Sequence, residues 1–272
     1  MPVSRFENTF AALRQRGEKA LVAFVTAGDP LPDRAADVVC AIADAGADIV
    51  EIGIPFSDPL ADGPTIQASS FRALQAGMTP PKVLDIVREV RSRNATLPLV
   101  LMGAYNPIMQ YGAEAFAQAA VEAGADGAIL TDLTPDAAGE WKRVADAAGF
   151  ATIFLLAPTS THGRMALVGK MTTGFIYTMS RAGITGARSD VPDELPHLLS
   201  QIRTFSGNTP VCVGFGVSTP EQVHTICRYA DGAVVGSVLV DLLHRERENP
   251  DLLSVAADFV RSLKNGTRSS EV

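Results

Sequence analysis

The chain has 272 residues, the length of one large α/β domain, and 47% of them are hydrophobic, which supports a substantial core and excludes a disordered chain. Its net charge of −7, with no cluster of Lys and Arg, excludes a nucleic-acid binder and gives no reason to expect an anionic membrane surface as partner. Three cysteines without a CxxC (Cys40, Cys212 and Cys227) and four scattered histidines without an HExxH point away from a disulfide frame or a metal site.

The N-terminal stretch MPVSRFENTFAALRQRG reads as an amphipathic helix with Phe6, Phe10 and Leu13 on one face. It lacks the apolar region of a signal peptide, and no segment approaches the ~18 uninterrupted apolar residues of a membrane span. A cytoplasmic protein is expected, or an organellar one after loss of a transit peptide. Eight short, β-rich runs follow in order: ALVAFVTAG, DIVEIGI, LPLVLMGA, GAILTDL, ATIFLLAP, GFIYTMS, TPVCVGFG and GAVVGSV. Helical spacing separates them, as at Ala35, Val38, Val39 and Ile42, at Val83, Ile86, Val87 and Val90, and at Leu195, Leu198, Leu199 and Ile202. The junctions ADAGADIVEIG, VEAGADGAILTDL, DAAGFATIFL and RYADGAVVG resemble one another, and three of them place Gly where a left-handed residue ends a helix.

Strands alternating with helices imply a parallel sheet, and eight such units imply a (β/α)8 TIM barrel, with a doubly wound open sheet as the alternative. One domain is expected over residues 1–264, with a frayed tail over 265–272. Extra helices are expected before the first strand, around Ala73 to Gly77, and over Leu252 to Leu263.

The second strand carries an acid within an apolar run, Ile49-Val50-Glu51-Ile52-Gly53-Ile54. Alternation puts Val50, Ile52 and Ile54 on the helix-facing side, so Ile49, Glu51 and Gly53 face the barrel interior. Glu51 then lies near the C-terminal mouth, where barrel enzymes keep their chemistry, and Gly53 is expected to leave room above it. Burial disfavours the charged form, so the pKa should rise into a range useful for proton transfer; a salt-bridged core glutamate is the competing reading. The loop PFSDPLADGPT adds Asp58 and Asp62, each equally readable as a turn or N-cap residue before a helix starting near Pro64.

The last three strands run into glycine-rich segments, SRAGITGAR, VGFGVS and VVGSV. Gly183, Gly186, Gly214, Gly216 and Gly236 allow backbone N–H groups to approach an anion, and Ser237 is expected to begin a helix whose dipole favours phosphate. Arg181 and Arg188 add charge there, or have solvated or structural roles instead. Tyr177 and Phe24 are expected to face inward, as an aromatic wall or as ordinary core. These residues suggest a phosphorylated small molecule bound across the mouth of a barrel, opposite an acid–base carboxylate.

The motifs FVTAGDP, VEIGIPFSDPLADGPTIQ, YNPI, SRAGITGAR, VGFGVSTPEQV and VVGS resemble those of the tryptophan synthase alpha subunit family over nearly the whole chain. That resemblance implies retro-aldol cleavage of indole-3-glycerol phosphate to indole and glyceraldehyde 3-phosphate. It implies Glu51 as general acid–base and Asp62 as the carboxylate bonded to the indole N–H. Phe24, Leu155 and Tyr177 match positions that line the indole pocket or support Glu51. Gly186, Gly216, Gly236 and Ser237 match the phosphate cradle, and Thr185 a loop residue that positions Asp62. Pro55 and Asp58 match the interface with a beta subunit, which carries pyridoxal phosphate in an αββα complex; no cofactor or metal is implied for this chain.

Thr131, Thr134 and Ala104 depart from the commoner family pattern. A stand-alone indole-3-glycerol phosphate lyase and a catalytically dead activating subunit are the alternatives. The retained Glu51 and Asp62 argue against the second. A different isomerase or aldolase on the same fold is a third alternative, and the absence of lysine from the eight runs disfavours a Schiff-base aldolase.

Overall fold

The β-rich runs form a single parallel sheet in a computed structural model, which describes residues 4–179, 193–214 and 216–268. Its strands are β1 (Ala20–Thr26), β2 (Ile49–Gly53), β3 (Leu99–Gly103), β4 (Gly127–Leu130), β5 (Ala151–Ile153), β6 (Leu155–Leu156), β7 (Ile176–Met179), β8 (Val211–Gly214) and β9 (Gly232–Val235). The order across the nine-stranded sheet is β5-β4-β3-β2-β1-β9-β8-β7-β6. Its two ends, β5 and β6, are consecutive pieces of chain separated only by Phe154. The Tyr177 N–H donates to the Phe154 carbonyl at 3.1 Å, so the ring closes but for this break. The expected TIM barrel is therefore present, with its fifth strand split in two.

Alternation along the strands divides the core. Val50, Ile52 and Ile54 belong to the outer layer between sheet and helices, whereas Ile49 belongs to an inner cluster with Val22, Val100, Ile129, Ile153, Phe175, Cys212 and Val234. The N-terminal helix, Arg5–Gln15, is capped by Ser4 and Glu7 in a reciprocal capping box and places Phe6, Phe10 and Leu13 in that inner cluster. Phe6 and Phe10 meet Phe175 edge-on, with centroids 6.0 and 6.4 Å apart. An amphipathic helix was legible in the sequence; that its apolar face joins the barrel interior was not.

The repeated junctions have a structural purpose. Asp48, Asp126 and Asp231 stand just before β2, β4 and β9, and each accepts an N–H from the preceding strand: Leu21 at 2.8 Å, Leu99 at 2.8 Å and Val211 at 2.9 Å. Cations complete them, with Lys264 on Asp48 at 2.7 Å and Arg91 on Asp126 at 2.9 Å. The junction glycines Gly46, Gly124 and Gly149 all have positive φ, as a left-handed helix stop requires.

Two boundaries differ from expectation. The segment from Ala73 forms no separate helix but ends the longer helix Pro64–Gln75. The C-terminal helix runs Leu252–Asn265, and the residues after it are tied down rather than frayed through 268. Thr267 is buried, its carbonyl accepts from the Lys19 N–H at 3.0 Å, and Arg268 forms a bridge with Glu18.

Candidate active site

A cavity of about 300 Å³ opens at the C-terminal end of the strands, a size within the usual range for small-molecule sites. Its lining unites Glu51 from β2, Phe24 from β1, Tyr177 from β7, Asp62 from the loop after β2, Gly216 after β8, and Gly236 with Ser237 after β9. Seven residues singled out in the sequence therefore meet in one place.

Glu51 is 1% exposed, and neither carboxyl oxygen has a hydrogen-bond partner. An unpaired buried carboxylate is costly, and burial pushes its pKa up to about 8. The competing reading, a salt-bridged core glutamate, does not hold. The β1–β2 register sets Glu51 opposite Phe24, and β2–β3 sets it opposite Val100. Burial raises the Tyr177 hydroxyl well above its ordinary value, and the nearby Glu51 charge adds to that rise, so this phenol stays neutral.

Asp62 sits in a turn, its N–H donating to the Pro59 carbonyl at 3.0 Å. The helix that follows has Gly63 as N-cap and no side-chain cap, so the Asp62 carboxyl is not used as one. Burial raises it to about 6, which leaves it ionised at neutral pH beside a neutral Glu51. Asp58 lies exposed on the same loop with Ser57 donating to it, while Pro55 is buried.

Two glycines have other purposes than expected. The room beside Gly53 is occupied by Phe24, whose ring would come within 2.6 Å of an added Cβ. A Cβ on Gly214 would fall 2.2 Å from the Tyr177 hydroxyl, so this glycine admits the phenol rather than an anion. Gly216 has φ +83, a conformation that glycine adopts freely. The Ser237–Arg245 helix begins at the cavity with Gly236 as N-cap and no side-chain cap, leaving its first N–H groups for an incoming acceptor.

Leu155 pairs with Tyr177 across β6 and β7 and packs on the inner cluster, but does not line the cavity. Thr185 and Gly186, with Arg181, Gly183 and Arg188, lie outside the described residues. Ile66, Met102 and Val234 line the cavity and were not singled out; strand parity would have found Met102, which stands opposite Gly53. A smaller recess of about 70 Å³ shares Phe24, Asp62, Ile66 and Met102 with the cavity and is bounded by Ala104 and Thr131.

Residues 10–268 match the family model described as tryptophan synthase alpha chain. The chain belongs to the tryptophan synthase alpha chain family. It is 51% identical over 262 residues to the tryptophan synthase alpha chain of Geobacter sulfurreducens, covering 96% of this chain and 98% of that one. It is 48% identical over 264 residues to that of Geobacter sp. strain M21, covering 97% and 98%. The crystal structure of tryptophan synthase subunit alpha from Legionella pneumophila superposes with a TM-score of 0.87 at 36% identity, covering 97% of this chain and 98% of that one. The resemblance carried by the sequence motifs is thereby confirmed. Membership in the tryptophan synthase alpha chain family gives the chain a lyase role in tryptophan biosynthesis and implies a beta partner. No helix among the described residues is long and apolar enough to cross a membrane.

Proposed function

We propose that the chain cleaves indole-3-glycerol phosphate to indole and glyceraldehyde 3-phosphate. The observation that carries this reading is Glu51, a carboxyl at the cavity with both oxygens unpartnered and a pKa of about 8. At neutral pH such a group holds a proton it can give.

In this reading Glu51 protonates C3 of the indole ring, and positive charge develops at the ring nitrogen. Asp62, ionised above about pH 6, stabilises that charge through the N–H. The adjacent glycerol hydroxyl then returns a proton to the Glu51 carboxylate as the carbon–carbon bond breaks. The electron pair of that bond restores the neutral indole, the alcohol carbon becomes an aldehyde, and Glu51 ends protonated as it began. Gly216, Gly236 and Ser237 hold the phosphate, and Phe24 and Tyr177 flank the indole. Leu155 acts behind Tyr177, Gly186 completes the phosphate side, and Thr185 positions Asp62.

The finer assignments belong to the same reading. The enzyme falls in the carbon–oxygen lyase class of tryptophan synthase, with aldol cleavage as its own half-reaction, in the cytoplasm. Pro55 and Asp58 meet a beta subunit in an αββα complex, and that partner carries the pyridoxal phosphate and consumes the indole.

Indole release from indole-3-glycerol phosphate, measured with and without a beta chain, tests the reading. Activity that rises strongly with beta and is lost in Glu51→Gln is the expected result. Full activity without beta would move the chain to a stand-alone lyase, and an unimpaired Glu51→Gln would remove Glu51 from the chemistry.

A further inference from the structure

The Pro64–Gln75 helix has Asp62 two residues before its start and is fastened at two places, to the last residue of β1 and to the turn that follows it. Thr26, the last residue of β1 and 3% exposed, lies with its Oγ1 2.6 Å from Oγ of the fully buried Ser69. Ser69 Oγ is also 2.8 Å from the Ile66 carbonyl. When Ser69 donates there, Thr26 donates to Ser69, and one chain of hydrogen bonds runs from β1 into the first turn of the helix. Three residues beyond Thr26, the 7% exposed Asp29 receives a two-pronged pair from Arg72, with Nε at 2.7 Å and Nη2 at 2.9 Å. Bidentate pairs of this kind fix orientation as well as distance.

The helix transmits its position to Asp62. Gln67 Nε2 donates to the Asp62 carbonyl at 2.8 Å, and the Gln67 N–H donates to the Gly63 carbonyl at 2.9 Å. Meanwhile β1 sets Phe24 opposite Glu51 by strand register. β1 and the turn after it therefore reference both carboxylates: Glu51 through the β ladder, and Asp62 through side chains that grip the helix. None of Thr26, Asp29, Ser69 or Arg72 lines the cavity.

We propose that Thr26 and Asp29 are positioning residues that, through Ser69 and Arg72 on the Pro64–Gln75 helix, hold the Asp62 carboxylate in register with Glu51. The inference rests on the role assigned to Asp62 above. Displacement of a stabilising group by about 1 Å is enough to lower a rate by up to ~100-fold while the substrate still binds.

The test is steady-state kinetics of indole release by the full chain in complex with its beta partner. Asp29→Asn and Ser69→Ala are each made alone and combined with Asp62→Asn. Arg72→Lys serves as a milder companion, Thr26→Ser as the conservative variant that keeps the hydroxyl, and thermal unfolding confirms folded protein at the assay temperature. In the Asp62-containing enzyme, kcat should fall by roughly 10-fold or more, with KM changed far less. Thr26→Ser should retain most activity. In the Asp62→Asn background the same substitutions should have little further effect, because the group they position is gone. Equal losses in both backgrounds would mean a general structural role and overturn the proposal, as would unchanged kcat in folded Asp29→Asn, Ser69→Ala and Arg72→Lys. If Asp62→Asn alone leaves kcat intact, the fault lies with the role assigned to Asp62, and the positioning proposal falls with it.

Discussion

Glu51 and Asp62 are two carboxyl groups on one cavity whose surroundings differ, and that difference suits them to the two roles proposed for them. Burial without a hydrogen-bond partner takes Glu51 to about 8, while partial burial takes Asp62 to about 6. Catalysis that needs Glu51 protonated and Asp62 ionised should therefore peak between pH 6 and 8. Above that window Glu51 loses its proton, and below it Asp62 gains one. A kcat/KM profile should fall on both sides, and a rate still rising through pH 9 would contradict the Glu51 assignment. Asp62→Asn should lower kcat by about 10²–10³-fold, the usual cost of removing an electrostatic stabiliser.

Stability should carry the same signature. A carboxyl whose folded pKa lies above its unfolded value near 4.5 binds more protons in the folded state between these two values. The contribution of Glu51 is thus fully present below pH 4.5 and lost as pH rises through about 8. Relative to the wild type, Glu51→Gln should gain stability across that interval, reaching a few kcal/mol at alkaline pH. Denaturant unfolding at pH 5 and pH 9 measures it, and a pH-independent difference would show that Glu51 is not a buried, unpaired acid.

At the scale of elements, the alternation of β2 sufficed to place Glu51 inside the barrel, because a strand has only two faces and Val50, Ile52 and Ile54 claimed the outer one. The helices were equally legible from their apolar spacing. Contacts between residues far apart in sequence were not. The approaches of Phe24 to Gly53 and of Tyr177 to Gly214 depend on which side chains share a level inside the ring, which no local pattern encodes. Gly214→Ala should displace the Tyr177 hydroxyl and cost about 1–3 kcal/mol, the usual range for overpacking.

The Arg5–Gln15 helix was recognised by its period but could not be placed by it, since an apolar face does not say what it covers. Phe6→Ala should cost about 3–5 kcal/mol in denaturant unfolding, as expected for a buried phenylalanine, whereas a helix merely resting on the surface would lose less than about 1 kcal/mol.

At the scale of the molecule, the barrel separates the ties between its strands from the candidate site. Asp48, Asp126 and Asp231 tie strand beginnings to one another and to cations on helices, whereas Glu51, Asp62, Gly216, Gly236 and Ser237 gather at the strand ends. The sequence showed the eight units and the glycine-rich loops that build this division. It did not show the break at Phe154 or the anchoring of residues 265–268, both of which depend on the closed ring.

The protonation of Glu51 is tested most directly by infrared titration of the wild-type chain, with Glu51→Gln subtracted as the blank. A protonated carboxyl band is expected at neutral pH, vanishing with a midpoint near 8. A midpoint near 4.5, the ordinary value for glutamate, would contradict it.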